Sequence, residues 1–287
     1  MVFSHTLLKS LPPYGGFYKY EANRSWSIPP RTYMAEYAVL MEEEGRVHIL
    51  EIVDEMAKHK GLGVLNTATL LANIGIGEEV LVGQKYLTRM PPRLPELISG
   101  MARRAQTISS KDAGVFISRL GIGAGDTVLE AGLGSGGLSL HLAKVLGDSG
   151  HLVTAEPRTE HADVGLLNLN RAQECFTEFP QHTHIEGMLE DVVPDLNFDA
   201  IILDMPVHSP AILASAPKLV FGGRIACYAP TTSQLEKCWR SCEEAGLEVE
   251  WAGELMERQW GITSKGGMRP VNGPFGHTAF LLFAQKK

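Results

Sequence analysis

The sequence predicts an α/β protein: a doubly wound, mostly parallel sheet with a small N-terminal β module ahead of it. Three observations carry that prediction. From Lys111 onward, short apolar runs alternate with longer stretches of helical periodicity. A glycine-rich loop, Gly132 to Gly137, joins the first of those runs to the first helix. Between Arg46 and Arg89, short apolar or alternating runs are separated by Gly-containing turns. Strands alternating with helices require crossovers that cover both faces of a parallel sheet. Short runs punctuated by turns read as small antiparallel strands.

Taken in order, residues 1–43 read as an irregular extension. Pro12, Pro13, Gly15, Gly16, Pro29 and Pro30 are scattered there among aromatic residues. Residues 44–92 form the expected β module, with strand-like runs "RVHILEIV", "LGVLNTATLL", "EEVLVG" and "KYLTRM". "PPRLPELISGMARRAQ" reads as a connector with a short helix, and residues 93–287 as the main domain. There "TVLEAGL", "HLVTAEP", "FDAIILDMP", "GRIACYAP" and "HTAFLLFAQKK" are expected strands. "GGLSLHLAKVLG", "TEHADVGLLNLNRAQECF" (capped by Thr159), "HSPAILASAPKLV" and "TSQLEKCWRSCEEAG" are expected helices. His182 and His184 fall in an expected connector and are read as solvated. His141 is read as a core or helix-surface residue, and Trp260 as a packing residue.

The bulk properties narrow the class. The chain has 287 residues, with 44% hydrophobic and 21% charged, which suits a globular protein with a sizeable core. No signal peptide is read at the N-terminus, and no uncharged apolar run approaches the ~20 residues of a spanning helix. The four cysteines, Cys175, Cys227, Cys238 and Cys242, form no CxxC pair and read as reduced thiols of a cytoplasmic protein. No metal site is expected. The formal net charge of −7 argues against a general nucleic-acid coat but leaves room for a local basic patch. Arg103, Arg104, Lys265 and Arg269 are the candidates for phosphate contacts.

The chemistry centres on Glu130-Ala131-Gly132-Leu133-Gly134-Ser135-Gly136-Gly137. Glycines there let the backbone turn tightly and approach a ligand, with free N–H groups at the helix N-terminus. Glu156 ends the next strand, where a carboxylate can accept both hydroxyls of a ribose. That pattern fits a dinucleotide loop, and equally a loop for S-adenosylmethionine (SAM). Glu130 favours the second reading. A carboxylate two residues before the first glycine is awkward for a pyrophosphate, but it suits the sulfonium and ammonium of SAM. Asp204 ends the strand "FDAIIL" at its carboxyl side, where it can accept a hydrogen bond from an exocyclic amine. On an adenine acceptor this orients the ring and favours electron density at N1. His208, in the loop that follows, is a candidate to touch the acceptor base.

With these residues in view, the chain resembles the SAM-dependent tRNA (adenine-N1)-methyltransferases that modify position 58 of the T-loop. The stretches that carry the resemblance are "HKGLGVLNTATLL", "VGQKYLTRMPPRLPELI", "MARRAQTISSKDAGVFI", "VLEAGLGSGGLSLHLAKVLG", "EPRTEHA", "LDM", "GGRIACYAPTTSQ" and "ERQW…MRP…GHTAFL". Together they span roughly residues 44–287. The resemblance implies a Rossmann-like methyltransferase domain, SAM as cofactor, tRNA as partner and a homotetramer. By position, Gly134, Ser135, Gly136, Gly137 and Leu138 would line the methionine and ribose of SAM. Glu156 would take the ribose hydroxyls with His161 close by, and Glu190 would lie near the cofactor's adenine. Gln106 would help close the pocket, Asp204 would be the catalytic acid-side group, and Tyr228 would sit near the substrate. The chain departs from the family pattern at three places. The Pro-Trp pair after the Asp204 strand is replaced by Met205-Pro206-Val207-His208. A Tyr-Pro-Lys-Asp segment reads Ser109-Ser110-Lys111-Asp112, and Met188 stands where an acid is usual.

Three rivals stay open at this level: a SAM methyltransferase with another acceptor, a non-catalytic RNA-binding subunit, and a nicotinamide-dependent dehydrogenase.

Overall fold

The computed structural model describes residues 36–264, 266–271 and 276–287. The expected irregularity of residues 1–35, and Lys265, lie outside them.

The small module contains β1 (Tyr37–Glu42), β2 (Val47–Glu51), β3 (Ala57–His59), β4 (Gly63–Leu65), α1 (Thr67–Leu71), β5 (Glu79–Val82) and β6 (Lys85–Met90). Four of these strands form an antiparallel sheet in the order β2-β1-β6-β5, and β3 pairs with β4 as a separate hairpin. Val82 pairs with Lys85, so Gly83 and Gln84 alone make the β5–β6 turn. Gly83 takes the positive φ of +64° that such two-residue hairpins demand. Ala38, Leu40, Leu50, Val80, Val82 and Leu87 fill the module's own core. On its other face, Val39 joins the main core with Leu97 and Met101.

The main domain follows with α2 (Leu94–Gly100), α3 (Ser110–Leu120), β7 (Thr127–Ala131), α4 (Gly137–Leu146), β8 (His151–Glu156), α5 (Thr159–Cys175), β9 (Gln181–Glu186), α6 (Leu189–Val192), β10 (Phe198–Leu203), α7 (Ser209–Ser215), β11 (Leu219–Ala229), α8 (Thr232–Glu244), β12 (Leu247–Glu254), β13 (Trp260–Ile262), β14 (Met268–Pro270) and β15 (Phe280–Lys286). Seven strands form one sheet in the order β12-β15-β11-β10-β7-β8-β9. β11, β10, β7, β8 and β9 run parallel, and β15 is inserted antiparallel between β11 and β12.

The strands read as continuous apolar runs because both faces are covered. Val128, Leu152, Ile202, Ala226 and Tyr228 pack on one side with Phe116 of α3, Leu138 and Leu142 of α4 and Leu169 of α5. Their neighbours Leu129, Val153, Ile201, Leu203 and Cys227 pack on the other with Ile212 of α7 and Cys238 and Cys242 of α8. All four cysteines are free and buried. The chain winds from β7 through β8 to β9, then crosses to β10 on the other side of β7. The switch point, where ligands bind in such sheets, therefore lies between the carboxyl ends of β7 and β10.

The doubly wound sheet and its preceding β module match the expected fold class, but several elements differ from expectation. Tyr37–Glu42 is a central strand of the module sheet, although it falls inside the stretch read as irregular. Glu43, Glu44 and Gly45, at the expected border between residues 1–43 and 44–92, lie in the β1–β2 hairpin turn. Thr67–Leu71 is a helical turn, because Asn66 accepts from the Thr69 N–H and caps it. Thr159 is the first residue of α5, and Arg158 stands at the cap position without a side-chain cap bond. The Thr159 hydroxyl instead donates to Glu186 at 2.8 Å. Gln181–Glu186 is an edge strand. Its polar sequence masked it, and edge position explains why such a sequence is tolerated. His182 and His184 are half-buried there, both bonded to Thr154 Oγ1 at 3.0 Å. Burial, with His184 and His151 adding to it, pushes His182 down to about 4. Trp260 is exposed on the β13–β14 hairpin, with Arg258 over its ring.

Candidate functional site

The glycine loop is anchored from three directions. Leu133 N donates to Ala155 O at 3.2 Å, and Gly132 N donates to Asp204 O at 3.1 Å, tying the loop to β8 and to the end of β10. Gly134 N donates to Glu156 Oε2 at 3.0 Å. Ser135 binds the segment before α3: its Oγ accepts from Arg104 N and Ala105 N, both at 3.0 Å, and donates to Ala105 O at 3.1 Å. Gly136 has φ +78°, and a Cβ there would stand 3.1 Å from the Gly165 carbonyl; at Gly137 it would stand 2.8 Å from Thr107 Cβ. Larger residues would push α5 and the 102–107 segment off the loop. Asn168 completes the clamp, bonding both the N–H and the C=O of Ala102 and the Ser135 carbonyl.

Three carboxylates converge at the switch point, and their surroundings differ. Glu156 is fully buried, and burial alone would raise its pKa. The Arg158 guanidinium, at 2.7 and 3.2 Å, and the Gly134 and Arg158 N–H groups hold it below the usual range instead. Glu130 is only 2% exposed and pairs with Ser139 Oγ at 2.6 Å. Burial drives it up to about 8, Ser139 opposes this, and the nearby Asp204 adds to it. Asp204 is pushed up to about 6, mainly by burial, with His208 and Arg158 opposing and Glu156 adding. Near pH 7 Glu130 therefore holds a proton, whereas Asp204 has the charges of His208 and Arg158 within reach. The Glu130 carboxyl thus faces α4, where Ser139 donates to it, rather than the glycine loop itself.

The other expected residues are distributed as follows. Leu138 is buried at the start of α4. His161, in the first turn of α5, and Glu190, in α6, both stand at the carboxyl edge of β8 and β9. His161 Nδ1 and Glu190 Oε2 are buried and find no hydrogen-bond partner among the described residues. Buried polar atoms without partners are costly, so these two fit a ligand that supplies donors and acceptors. Gln106 is exposed, in the segment laid over the loop. Tyr228 is buried at the end of β11, with its phenol driven to about 12 by burial first, then by Asp112. His208 is not brought to an open acceptor face. It is 3% exposed, and its Nε2 bonds the Tyr228 carbonyl at 3.1 Å. Arg269 is exposed on β14, away from the loop in sequence and in sheet. Among the described residues no group of three His, Cys, Asp or Glu side chains is placed to hold a metal ion, and no helix is long and apolar enough to cross a membrane.

Sequence reasoning missed Arg158, Ser139, Thr107, Gly165 and Asn168. Asn168 carried one visible signal: an amide on the buried side of a helix, four residues before Ala172. The rest required the fold.

A parallel sheet with an antiparallel insertion at β15, a glycine loop after its first strand and an acid ending its second define a Rossmann-like methyltransferase. A SAM-dependent O-methyltransferase from Thermotoga maritima has the same fold, with a TM-score of 0.71 at 25% identity over 87% of this chain and 92% of that one. The family model described as tRNA methyltransferase complex GCD14 subunit matches residues 84–266, and the chain belongs to that family. It is similar to the tRNA (adenine(57)-N(1)/adenine(58)-N(1))-methyltransferase TrmI of Methanocaldococcus jannaschii, 28% identical over 88% of this chain and 95% of that protein. It is likewise similar to the tRNA (adenine(58)-N(1))-methyltransferase TrmI of Thermus thermophilus, 30% identical over 86% and 91%.

Proposed function

We infer that this protein transfers a methyl group from SAM to N1 of an adenine in tRNA, at position 58 of the T-loop. The observation that carries the reading is the pair of buried carboxyl groups, Glu130 and Asp204, at the corner between β7 and β10, beside a loop built for close backbone approach. A positively charged methyl carrier fits it; a pyrophosphate does not. The family and both relatives support tRNA as the acceptor.

In this reading Gly132, Gly134 to Leu138 and Glu130 hold the methionine end of the cofactor. Glu156 takes the ribose hydroxyls beside His161, Glu190 faces the cofactor's adenine ring, and Gln106 closes the pocket from above. Bound SAM supplies an electrophilic methyl and its own leaving group, so the protein's part is positioning and electrostatics. Asp204 accepts a hydrogen bond from the exocyclic amine of the target adenine, which holds the ring and keeps its N1 lone pair free. Tyr228 borders the acceptor, and Arg269 contributes to phosphate contacts. His208 acts from behind, through Tyr228 and Asp204.

Residues 44–92, extended by β1, serve as a tRNA-holding module, and 93–287 as the catalytic domain in the cytoplasm. A homotetramer belongs to the same reading. It is supported by the β13–β14 hairpin, which leaves Trp260 56% and Ile262 79% exposed, apolar side chains for a second copy to cover.

The decisive test is nucleoside analysis of bulk tRNA treated with the protein and labelled SAM. N1-methyladenosine, mapped to position 58, is expected. Labelled tRNA without that nucleoside would point to another acceptor. Failure of the chain alone to bind SAM would favour a non-catalytic subunit.

A further inference from the structure

Glu156 ends β8 with its side chain fully out of water, while the Arg158 side chain paired with it is 52% exposed. Four donors meet the carboxylate, two on each oxygen. Oε1 accepts from Arg158 Nε at 2.7 Å and from Arg158 N at 3.2 Å. Oε2 accepts from Gly134 N at 3.0 Å and from Arg158 Nη2 at 3.2 Å. An ionised carboxylate has about four acceptor positions, so all are taken.

The four donors are not alike. Two are backbone N–H groups, one from the glycine loop and one from the cap position of α5, and the fold fixes both. The other two belong to one guanidinium, which sets an N–H on each oxygen in a parallel fork. A ribose cis-diol offers two O–H donors in the same way, one for each oxygen. Guanidinium and diol therefore need the same two positions. The arginine has somewhere to go. Glu160, two residues on, is 56% exposed and pairs only loosely with Arg104, at 3.9 Å, so its carboxylate can receive the guanidinium.

We propose that Arg158 is a placeholder for the cofactor's ribose: its guanidinium fills the two acceptor positions of Glu156 that the diol needs, and leaves when the diol arrives. The inference rests on the assignment of Glu156 to the ribose made above. It adds that binding there is an exchange of two N–H donors for two O–H donors. Glu130 shows what a buried carboxyl with a single neutral donor becomes: it is driven up to about 8. Arg158 spares Glu156 that outcome, keeping it ionised and aimed until the ribose takes over. A ligand that must displace the guanidinium binds more weakly by the fraction of molecules in which the site is open.

The test uses the full chain and S-adenosylhomocysteine, whose neutral sulfur keeps the arginine's charge from acting on a sulfonium. Binding is measured at about pH 8, well above the usual carboxylate range. Arg158→Ala is expected to tighten Kd about threefold, through faster association. The analogue lacking the 2′-hydroxyl should bind wild type about threefold more weakly, and Arg158→Ala about tenfold more weakly. Only wild type can return an N–H to the oxygen left unmet. A guanidinium that stays on Glu156 and merely orients it gives the reverse signs. Unchanged or weaker binding in Arg158→Ala, or a 2′-deoxy penalty no larger there than in wild type, would overturn the proposal.

A direct readout follows the guanidinium itself. In ¹⁵N spectra the Arg158 Nε–H, bonded to a buried carboxylate, should exchange slowly with water. On saturation with S-adenosylhomocysteine it should take the shift and exchange rate of an exposed arginine. If Glu156→Gln and loss of the hydroxyl both weaken binding but this resonance stays put, the ribose assignment stands and the exchange alone fails. If neither change affects binding, the ribose assignment fails and takes the exchange with it.

Discussion

Glu156 and Glu130 make an instructive pair. Both lie on the same side of the large sheet, at the carboxyl ends of the adjacent strands β8 and β7, and both are almost wholly removed from water. Glu156 receives four hydrogen bonds, two of them from a guanidinium, and stays ionised. Glu130 receives one, from a neutral hydroxyl, and is driven to about 8. Burial is common to both, so the difference comes from the donors. On the β8 side all four acceptor positions of the carboxylate are met by Gly134 and Arg158, so a ribose hydroxyl would have to take the place of an Arg158 donor. The β7–β10 side has fewer donors, and Asp204, at about 6, is likewise shifted upward by burial.

This contrast can be broken or sharpened by experiment. The largest effect is expected at Asp204. Asp204→Ala should reduce turnover by roughly 10²–10³-fold, the scale of losing a positioned acid–base group, with SAM affinity nearly unchanged. Loss of SAM binding in calorimetry would move Asp204 into the cofactor site. Next comes Glu156→Gln, which should weaken SAM about tenfold, the scale of one charge-assisted hydrogen bond. An unaltered Kd would break the assignment of the β8 side to ribose.

The pH behaviour of Glu130 is a third test. Its pKa is raised on folding, so its contribution to stability is present below about 4.5 and is lost as pH rises towards about 8. Asp204 adds to the same decline between about 3.8 and 6. The depressed His182 works the other way below about 6.5, so the loss belonging to Glu130 is read above that pH, where Glu130→Gln should flatten the curve. Denaturant titrations of both proteins at several pH values measure this, and a wild-type curve that runs parallel to that of Glu130→Gln from about pH 6.5 to 8 would contradict it. SAM binding at pH 7 should also release protons, detectable as a buffer-dependent heat. A smaller effect concerns turnover: kcat should climb with pH through about 6 as Asp204 ionises, and a flat profile would remove its carboxylate from the reaction. The smallest belongs to Arg158→Ala. The arginine is half-exposed, so solvent screens much of its charge, and SAM affinity should shift by no more than about threefold.

How legible all this was in the sequence depended on range. β7, β8, β10 and β11 were visible because their apolar runs are local and both faces are buried. The glycine loop, Glu156 and Asp204 were visible because each stands at the end of such a run. β9 escaped because "QHTHIE" lies at a sheet edge, where polar side chains are accommodated and no apolar run marks the strand. β1 escaped because it directly follows the Pro-, Gly- and aromatic-rich stretch and was grouped with it.

The amino-acid order by itself determined the doubly wound sheet, the position of its ligand loop and which carboxylates reach the carboxyl edge. Local periodicity and strand ends encode those features directly. Only the tertiary structure decided which of the carboxylates keep a charge, that His208 turns inward, and that Asn168 reaches Ala102 and Ser135. Those outcomes depend on partners from distant parts of the chain and on water being excluded between them, and neither is written in any one stretch.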